Sequence, residues 1–257
     1  MNQEFKTIKH FRQLGGYKTT DGRSIKYDYF FRSGELSFVS DEELQKLNDL
    51  RIQTVFDLRS AKEQVEKPDV VGNYKVVLCP LANPERNADD RYKNQASFSE
   101  KSKNADERYY NFSRIGFAKG YMEFSYNTPV ISKIIEAMNR HEVFLYHCYG
   151  GKDRTGVISM LIMLFLGCDY DECKRNYMIH REITLDEQAQ YIEKKKQLGY
   201  SEYGIKVARY FSEVNEELFD CAWYSIFDVY NTIEDYLEDL YGISKSQIDD
   251  WRKFYLE

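Results

Sequence analysis

Residues 143–166 read VFLYHCYGGKDRTGVISMLIMLFL. The apolar residues 143–146 are typical of a buried strand, and residues 157–166 form an apolar run long enough for a buried helix. Between them, five residues that include two glycines separate Cys148 from Arg154. A thiol at the end of a strand, a loop of backbone N–H groups and a helix N-terminus together form a cradle for an anion, with a nucleophile in its floor.

The residue types in this loop suit the hydrolysis of a phosphate ester through a cysteinyl-phosphate intermediate. The thiolate is the nucleophilic form of cysteine, and the positive end of a helix dipole favours it for Cys148. Gly150 and Gly151 let the backbone approach a phosphate closely. Arg154 can hold two phosphate oxygens in a planar fork, which lysine cannot do. Thr155 can donate a hydrogen bond to the sulfur and make it a better leaving group in the second step.

The neighbouring residues narrow the alternatives. We expect His147 to order the loop and to tune the cysteine. A nucleotide-binding P-loop is excluded, because its pattern requires glycine at Tyr146 and serine or threonine at Asp153. A cysteine is usually an inert buried residue, and this is our expectation for the other four cysteines, Cys79, Cys168, Cys173 and Cys221.

Residues His147 to Gly156 match the HCxxGxxR[ST]G signature of the protein tyrosine phosphatase superfamily. The GKDRTG variant resembles the bacterial tyrosine/serine branch, in which some members have dual or triple specificity and phosphoinositide activity. Further stretches that resemble the family are the opening motifs at 11–17, 21–23 and 30–36, the DLRS motif at 55–60 with Glu63 and residues 68–69, and the closing helices at 230–256. Gln13 stands where aspartate is usual in the opening motif. We expect this difference to change a local polar contact and not the catalytic reaction.

The resemblance implies an α/β cysteine-phosphatase fold and a phosphoric monoester hydrolase that needs no metal or organic cofactor. Its substrate class is phosphotyrosine, with phosphoserine, phosphothreonine and phosphoinositides open as further substrates. The residues implied to bind phosphate are Tyr149, Gly150, Gly151, Lys152, Asp153 and Arg154. In similar lipid phosphatases a lysine at the position of Lys152 helps to hold extra phosphates on an inositol ring; the alternative here is a solvated lysine.

The general acid is not fixed by these motifs. Leaving-group protonation needs a carboxylic acid near the ester oxygen, but residues 82–84 supply none after the strand expected at 74–81. The Lys-Asp-Arg loop indicates Asp153 as the acid, with loop ordering as its alternative role. Asp57 is the second candidate, because it falls at the C-terminal end of a predicted parallel strand; alternatively it orients Arg154. Asp69 lies in a Lys-Pro-Asp turn, and we interpret it as turn chemistry.

Local signals predict an α/β sandwich with a mostly parallel central sheet, flanked by helices and extended by extra C-terminal helices. We expect a single phosphatase domain over residues 1–257, in which residues 184–220 form either a helical lid or packing against the sheet flank. Strands are predicted at 54–58, 74–81 and 143–147, a hairpin at 17–25 and a long surface loop at 83–105. A first helix is predicted after a Ser40–Glu43 capping box, and further helices at 109–126, 130–140, 155–166, 185–196 and 207–220. The last predicted helix runs from Val229 to Gly242 and is followed by a Ser244–Gln247 capping box.

Composition and charge limit the possible binding partners, metal sites, disulfides and localisation of the chain. The net charge of -6 argues against general nucleic-acid binding, and residues 212–257 are the acidic part of the chain. Five cysteines without paired spacing argue against a disulfide framework, and four scattered histidines argue against a metal site. We expect a cytoplasmic protein without a transmembrane segment, since residues 1–6 contain no apolar signal region; secretion stays open if a signal has been removed. The oligomeric state is not indicated.

Two functions from other classes compete with phosphate-ester hydrolysis. A rhodanese-like sulfurtransferase also uses a loop cysteine near a helix N-terminus, but it usually lacks the HCxxGxxRTG pattern. A non-catalytic phospho-binding module commonly lacks the cysteine or the arginine, and both Cys148 and Arg154 are present here. The expected partner is therefore a phosphorylated protein or a phosphoinositide that acts as substrate.

Overall fold

A computed structural model describes residues 5–81 and 100–257 of the chain. Its strands are β1 (Arg12–Gln13), β2 (Phe30–Ser33), β3 (Thr54–Asp57), β4 (Lys75–Leu78) and β5 (Phe144–His147). Its helices are α1 (Asp41–Asp49), α2 (Ala61–Glu66), α3 (Glu107–Phe124), α4 (Thr128–Asn139), α5 (Asp153–Leu166), α6 (Tyr170–Ile183), α7 (Leu185–Gln197), α8 (Glu202–Ser212), α9 (Glu216–Phe227), α10 (Ile233–Tyr241) and α11 (Lys245–Tyr255).

The five strands form one sheet in the order β1-β2-β5-β3-β4. Only β1 runs antiparallel to its neighbour, whereas β2, β5, β3 and β4 pair in parallel. All residues of β2, β3 and β5 are buried, because helices cover both faces of the sheet. The predicted fold class, a mostly parallel α/β sheet flanked by helices, is confirmed. The register places Ser33, Asp57 and His147 side by side at the carboxyl edge of the sheet.

Helix α5 is the centre of the larger hydrophobic core. Every residue from Thr155 to Leu166 is buried, which explains why this stretch is apolar on all sides rather than on one face. Gly167 ends the helix in the left-handed conformation with φ 96°. A smaller cluster on the opposite face of the sheet packs α1 against β2, β3 and β5 through Leu47, Phe31, Val55 and Leu145.

The C-terminal helices close over the first core. Gly242 ends α10 with φ 65°, and the predicted capping box of Ser244 and Gln247 begins α11. Trp251 of α11 is fully buried beside α5. The predicted hairpin at 17–25 is present, with Lys18 paired to Ser24. Every helix within 5–81 and 100–257 is too short or too polar to span a bilayer.

Two local predictions were wrong, and a third was wrong in the part that the structure describes. The single helix expected at 207–220 is divided into α8 and α9, because Glu213 adopts an extended conformation. The capping box expected at Ser40 is only half formed: Ser40 accepts from the Glu43 amide, but the Glu43 carboxylate binds the amides of Lys6 and Thr7 instead. Of the surface loop expected at 83–105, residues 83–99 lie outside the described residues. Residues 100–103 are helical.

Candidate active site

The loop after β5 lies at the carboxyl edge of the sheet, as the sequence predicts. Cys148 follows the central strand directly and is 3% exposed. Gly151 has φ +64°, and a Cβ atom there would lie 2.7 Å from the backbone of Ser33. This position therefore requires glycine for both conformation and space. Within residues 5–81 and 100–257 no side chain caps the N-terminus of α5, so its first N–H groups can face an anion above Cys148.

Arg154 is held in a fixed orientation by helix α2. Its two Nη atoms donate to the Glu63 carboxylate over 2.8 and 3.0 Å, and Nη1 also reaches the Leu58 carbonyl at 3.3 Å. Burial opposes both charges, yet the pairing lowers the pKa of Glu63 to about 2 and raises the pKa of Arg154. Glu63 also accepts from the Ser60 amide in the capping box of α2. A helix cap thus positions the guanidinium beside the cysteine.

Asp153 lies at the first position of α5 and is bound from two sides. The hydroxyl of Tyr121, which is fully buried in α3, donates to Asp153 Oδ1, and the Tyr177 hydroxyl lies 2.9 Å from that of Tyr121. Burial and the nearby carboxylate raise the pKa of Tyr121 well above its usual value, so the phenol remains a donor. Lys152 Nζ lies 3.3 Å from the same carboxylate oxygen. The carboxyl group is partly exposed, with a side-chain relative accessibility of 26%.

The side chain of Lys152 is not solvated, so that alternative was wrong, and its ammonium is bound within the protein. Its exposure is 7%, and its ammonium donates to the carbonyls of Phe211 at 2.8 Å and Glu213 at 3.0 Å. The ammonium therefore connects the loop to the segment between α8 and α9. Contact between Lys152 and a bound phosphate is left to its backbone N–H group.

Asp57 does not contact Arg154, contrary to one of its two expected roles. Its buried carboxylate binds Arg59 through two hydrogen bonds, from Nε to Oδ1 at 2.9 Å and from Nη2 to Oδ2 at 2.8 Å. Arg59 Nη2 also donates to Asp69 Oδ1 at 2.8 Å, so one guanidinium bridges the two carboxylates. This arrangement leaves Asp57 poorly placed as a proton donor.

Asp69 contributes more than a turn. Its carboxylate is 5% exposed and lies 2.9 Å from Nε2 of His147, the residue before the cysteine. Burial opposes its ionisation, but the contacts with His147 and Arg59 keep the pKa of Asp69 below its ordinary value. The interpretation of Asp69 as turn chemistry alone was therefore wrong.

Comparison with known proteins agrees with this geometry. A model of the tyrosine phosphatase family matches residues 3–257. The chain belongs to the tyrosine phosphatase family. It is therefore a cysteine-based phosphatase that acts on phosphotyrosine.

Relatives with matching names extend over most of the chain. A protein of Cupriavidus necator named as a tyrosine-protein phosphatase is 24% identical over 246 residues, covering 95% of this chain and 85% of its own. The triple specificity protein phosphatase PtpB of Mycobacterium tuberculosis is 25% identical over 247 residues, covering 86% and 88%. A tyrosine-protein phosphatase of Nostoc commune is 25% identical over 162 residues, covering 61% and 49%.

Tyr149 and Thr155 occupy opposite ends of the phosphatase loop. Tyr149 is 49% exposed at the rim, where its hydroxyl accepts from Lys67 Nζ at 3.1 Å and its ring lies 4.6 Å from the same ammonium. Thr155 is fully buried, and among the described residues its hydroxyl has no hydrogen-bond partner. That hydroxyl is therefore available for the expected role of Thr155 as a hydrogen-bond donor to the sulfur.

Sequence reasoning assigned no role to the residues that support the phosphatase loop from behind. Arg32 of β2 is 1% exposed and donates to the carbonyl of Gly151 at 2.9 Å, to Ser159 Oγ at 2.7 Å and to Asn176 Oδ1 at 2.8 Å. Tyr121 was also missed. Arg32 and Arg59 both lie within the motifs that resemble the family. For Arg32, the one signal in the sequence was its position inside an apolar strand, which indicates a buried charge that needs hydrogen-bond partners.

Proposed function

We propose that this phosphatase hydrolyses phosphotyrosine in two steps through a cysteinyl-phosphate on Cys148. The observation that supports this most directly is the fixed pair of Cys148 and Arg154 at the N-terminus of α5, with Glu63 orienting the guanidinium. In this proposal the loop amides and the guanidinium bind the three equatorial phosphate oxygens, over which the negative charge is spread in the transition state.

In the first step the thiolate of Cys148 attacks phosphorus, and a sulfur–phosphorus bond forms as the ester oxygen–phosphorus bond breaks. Asp153 gives its proton to the leaving phenol oxygen. In the second step water attacks phosphorus and gives a proton to the Asp153 carboxylate. The sulfur–phosphorus bond breaks, inorganic phosphate leaves, and the Thr155 hydroxyl stabilises the returning thiolate.

Asp153 is our assignment for the acid because its carboxyl group adjoins the phosphate loop and is partly exposed. Asp57 is buried and bound to Arg59, which speaks against it. We also propose phosphoserine and phosphothreonine as slower substrates, a range supported by the name of the related PtpB. Phosphoinositide hydrolysis lacks the lysine contact that motivated it, because the Lys152 ammonium is bound to two carbonyls.

The substitution Cys148→Ser tests the nucleophile. We expect turnover of phosphotyrosine to fall below detection, because an alcohol at neutral pH is a far weaker nucleophile than a thiolate. Binding of vanadate, measured by calorimetry, should be retained at least in part because the loop amides and Arg154 remain. The matched control is Cys221→Ser, a half-buried cysteine of α9 that is not part of the loop, which should keep wild-type turnover. Full activity in Cys148→Ser would remove the assignment.

A further inference from the structure

Four side chains between the β1 edge of the sheet and α6 form one group, which we call the donor cluster: Arg12, Arg32, Asn176 and His180. Arg12 lies directly opposite Arg32 in the β1–β2 ladder. Arg32 Nη1 donates to Asn176 Oδ1 at 2.8 Å, and His180 follows Asn176 by about one turn of α6. His10 closes the circle, because its carbonyl accepts from Arg12 Nη1 at 3.3 Å and its ring lies 4.6 Å from that of His180. The four side chains therefore lie in one small region.

Several nitrogen atoms of the donor cluster are buried without an acceptor. Within residues 5–81 and 100–257, no hydrogen-bond partner is present for Nε and Nη2 of Arg12, Nε of Arg32, Nδ2 of Asn176 and Nδ1 of His180. Arg32 and Asn176 are each 1% exposed, and His180 is 4% exposed. The arginine and asparagine nitrogens can only donate, and Nδ1 of His180 donates in one of its two neutral tautomers. Buried polar atoms nearly always have a partner, so this concentration of donors indicates a ligand that accepts several hydrogen bonds.

The donor cluster also contains two positive charges that are not balanced by a carboxylate. Burial, and after it the charge of Arg32, lowers the pKa of Arg12 well below its usual value, and the groups that act in the opposite direction are the phenols of Tyr17 and Tyr146. Burial also lowers the pKa of Arg32, against phenols and the negative charge of a Cys148 thiolate. That thiolate is not among the groups that act on Arg12. Because arginine stays protonated in proteins and a buried charge without compensation is costly, a negative charge in the cluster would stabilise the fold.

The other charged side chains near the donor cluster do not provide this negative charge. The carboxylate of Glu187 lies 4.0 Å from His10 Nε2, but it is 59% exposed and also lies 4.0 Å from Lys9 Nζ. The Lys152 ammonium adds a positive charge on the other side, and it lies 3.3 Å from the Asp153 carboxylate. These two pairs are each close to neutral, so the charges of the two guanidinium groups remain.

We infer that the donor cluster binds a small inorganic anion, a halide such as chloride, between Arg12 and Arg32. A halide ion accepts hydrogen bonds from several N–H groups and supplies the missing negative charge, whereas a water molecule brings no charge. The unpartnered nitrogens have almost no contact with solvent, which favours a single atom over a phosphate or a carboxylate ligand. Arg32 Nη2 donates to the Gly151 carbonyl at 2.9 Å, so this anion lies behind the phosphate loop and is separate from the phosphate above Cys148.

Bromide can locate the anion directly, because it replaces chloride and scatters X-rays anomalously. Crystals of the full chain are grown with sodium bromide and with vanadate, which occupies the phosphate loop and keeps bromide out of it. We expect an anomalous peak within hydrogen-bond distance of both Arg12 and Arg32. Diffraction that shows no bromide between the two guanidinium groups, or a water molecule there, would overturn the proposal.

In solution, chloride should stabilise the wild type in a saturable way. Unfolding is measured at a fixed saturating concentration of vanadate while chloride replaces gluconate at constant ionic strength. A ligand that binds only the folded protein divides the unfolding equilibrium constant by one plus the ratio of its concentration to its Kd. We therefore expect roughly a tenfold fall in that constant when chloride reaches about ten times its Kd.

The substitution Arg12→Met should abolish the dependence on chloride. It removes one guanidinium, and an apolar side chain of similar length is tolerated well in place of a buried charge. The matched control is Arg175→Met. Arg175 carries the same charge on α6 and stacks 4.5 Å from the Tyr17 ring, but its side chain is 54% exposed and paired with Glu172, so this variant should keep the wild-type dependence.

Each result decides the proposal separately from phosphotyrosine hydrolysis, which none of these measurements requires. A bromide peak without a saturable effect of chloride in solution would mean binding at crystal concentration only and would overturn the proposal. A chloride effect of equal size in wild type and Arg12→Met would place the anion elsewhere and overturn it as well. If Arg12→Met does not fold, the bromide position and the chloride titration of the wild type together still decide.

Discussion

At the scale of single residues, the active site depends on side chains that approach the loop from distant parts of the chain. Cys148 and Arg154 could be predicted from sequence, because the motif states their spacing and chemistry. Their partners could not. Glu63 is 91 residues from Arg154, and Tyr121 is 32 residues from Asp153. Pairings of this kind are set by the three-dimensional fold. They could not be predicted because a single sequence does not show which distant residues lie close together in space.

Asp153→Asn should separate good from poor leaving groups. Without a proton donor the leaving oxygen departs as an anion, which is tolerable for an aryl phosphate and costly for an alkyl phosphate. We expect kcat for an alkyl phosphate to fall by roughly 10²–10⁴-fold, and that for para-nitrophenyl phosphate much less. Steady-state kinetics on both substrates will measure this. If Asp57→Asn shows that leaving-group pattern and Asp153→Asn does not, the acid is Asp57.

Glu63 makes folding stability depend on pH in a definite direction. Its pKa of about 2 in the folded protein lies below the ordinary value of 4.5. The stabilisation is therefore complete above pH 4.5 and is lost as the pH falls toward 2. Urea unfolding should show Glu63→Gln to be less stable than wild type at pH 6 by about 1–2 kcal/mol, since partial exposure screens the pair. A stability difference that stays constant from pH 6 to pH 2 would contradict this.

At the scale of secondary-structure elements, the break between α8 and α9 shows a limit of periodicity. Val207, Tyr210, Val214 and Leu218 are all buried and keep helical spacing across the break. The apolar pattern therefore predicts one helix. The turn at Glu213 directs two backbone carbonyls at Lys152. The spacing of apolar residues does not predict this contact. Helix ends marked by local chemistry, such as Gly242 and Ser244, were predicted correctly because their partners are within a few residues.

Lys152→Met should loosen the segment that the ammonium binds. A hydrogen bond from a charged group contributes about 1.5–3 kcal/mol, so amides of residues 211–216 should exchange with solvent roughly tenfold faster or more. Hydrogen exchange with mass spectrometry will measure this. Vanadate should slow exchange in residues 184–220 of the wild type if this segment is the proposed lid, and Lys152→Met should reduce that effect.

The matched control for this substitution is Lys26→Met. Lys26 also donates its ammonium to a backbone carbonyl, that of Phe254 at 2.6 Å, but on another part of the molecule. Its loss should leave residues 211–216 unchanged. Equal protection of the segment in wild type and Lys152→Met would show that the tether has no stabilising role, and equal protection with and without vanadate would count against a lid.

At the scale of the whole molecule, the C-terminal helices belong to the core. Trp251 is fully buried, packs on Phe165 with ring centroids 6.2 Å apart, and donates to Asn139 Oδ1 at 2.9 Å. Trp251→Ala should therefore lower the free energy of unfolding by about 3–5 kcal/mol, measured by urea denaturation. The half-exposed Tyr224 is the control, and Tyr224→Ala should change it by less than about 0.5 kcal/mol. Similar losses in both variants would contradict this assignment of the core.

The hairpin at residues 17–25 and residues 255–257 form one antiparallel seam. Ser24 and Glu257 exchange backbone hydrogen bonds of 2.8 and 2.9 Å, and Lys26 donates to the Tyr255 carbonyl at 2.8 Å. During synthesis on the ribosome, this edge of the hairpin emerges before residues 255–257 and lacks that native partner until they have been translated. Unpaired edges of this kind invite pairing with other chains. A nascent chain stalled before residue 255 should consequently depend on chaperones more than a chain that includes residues 255–257.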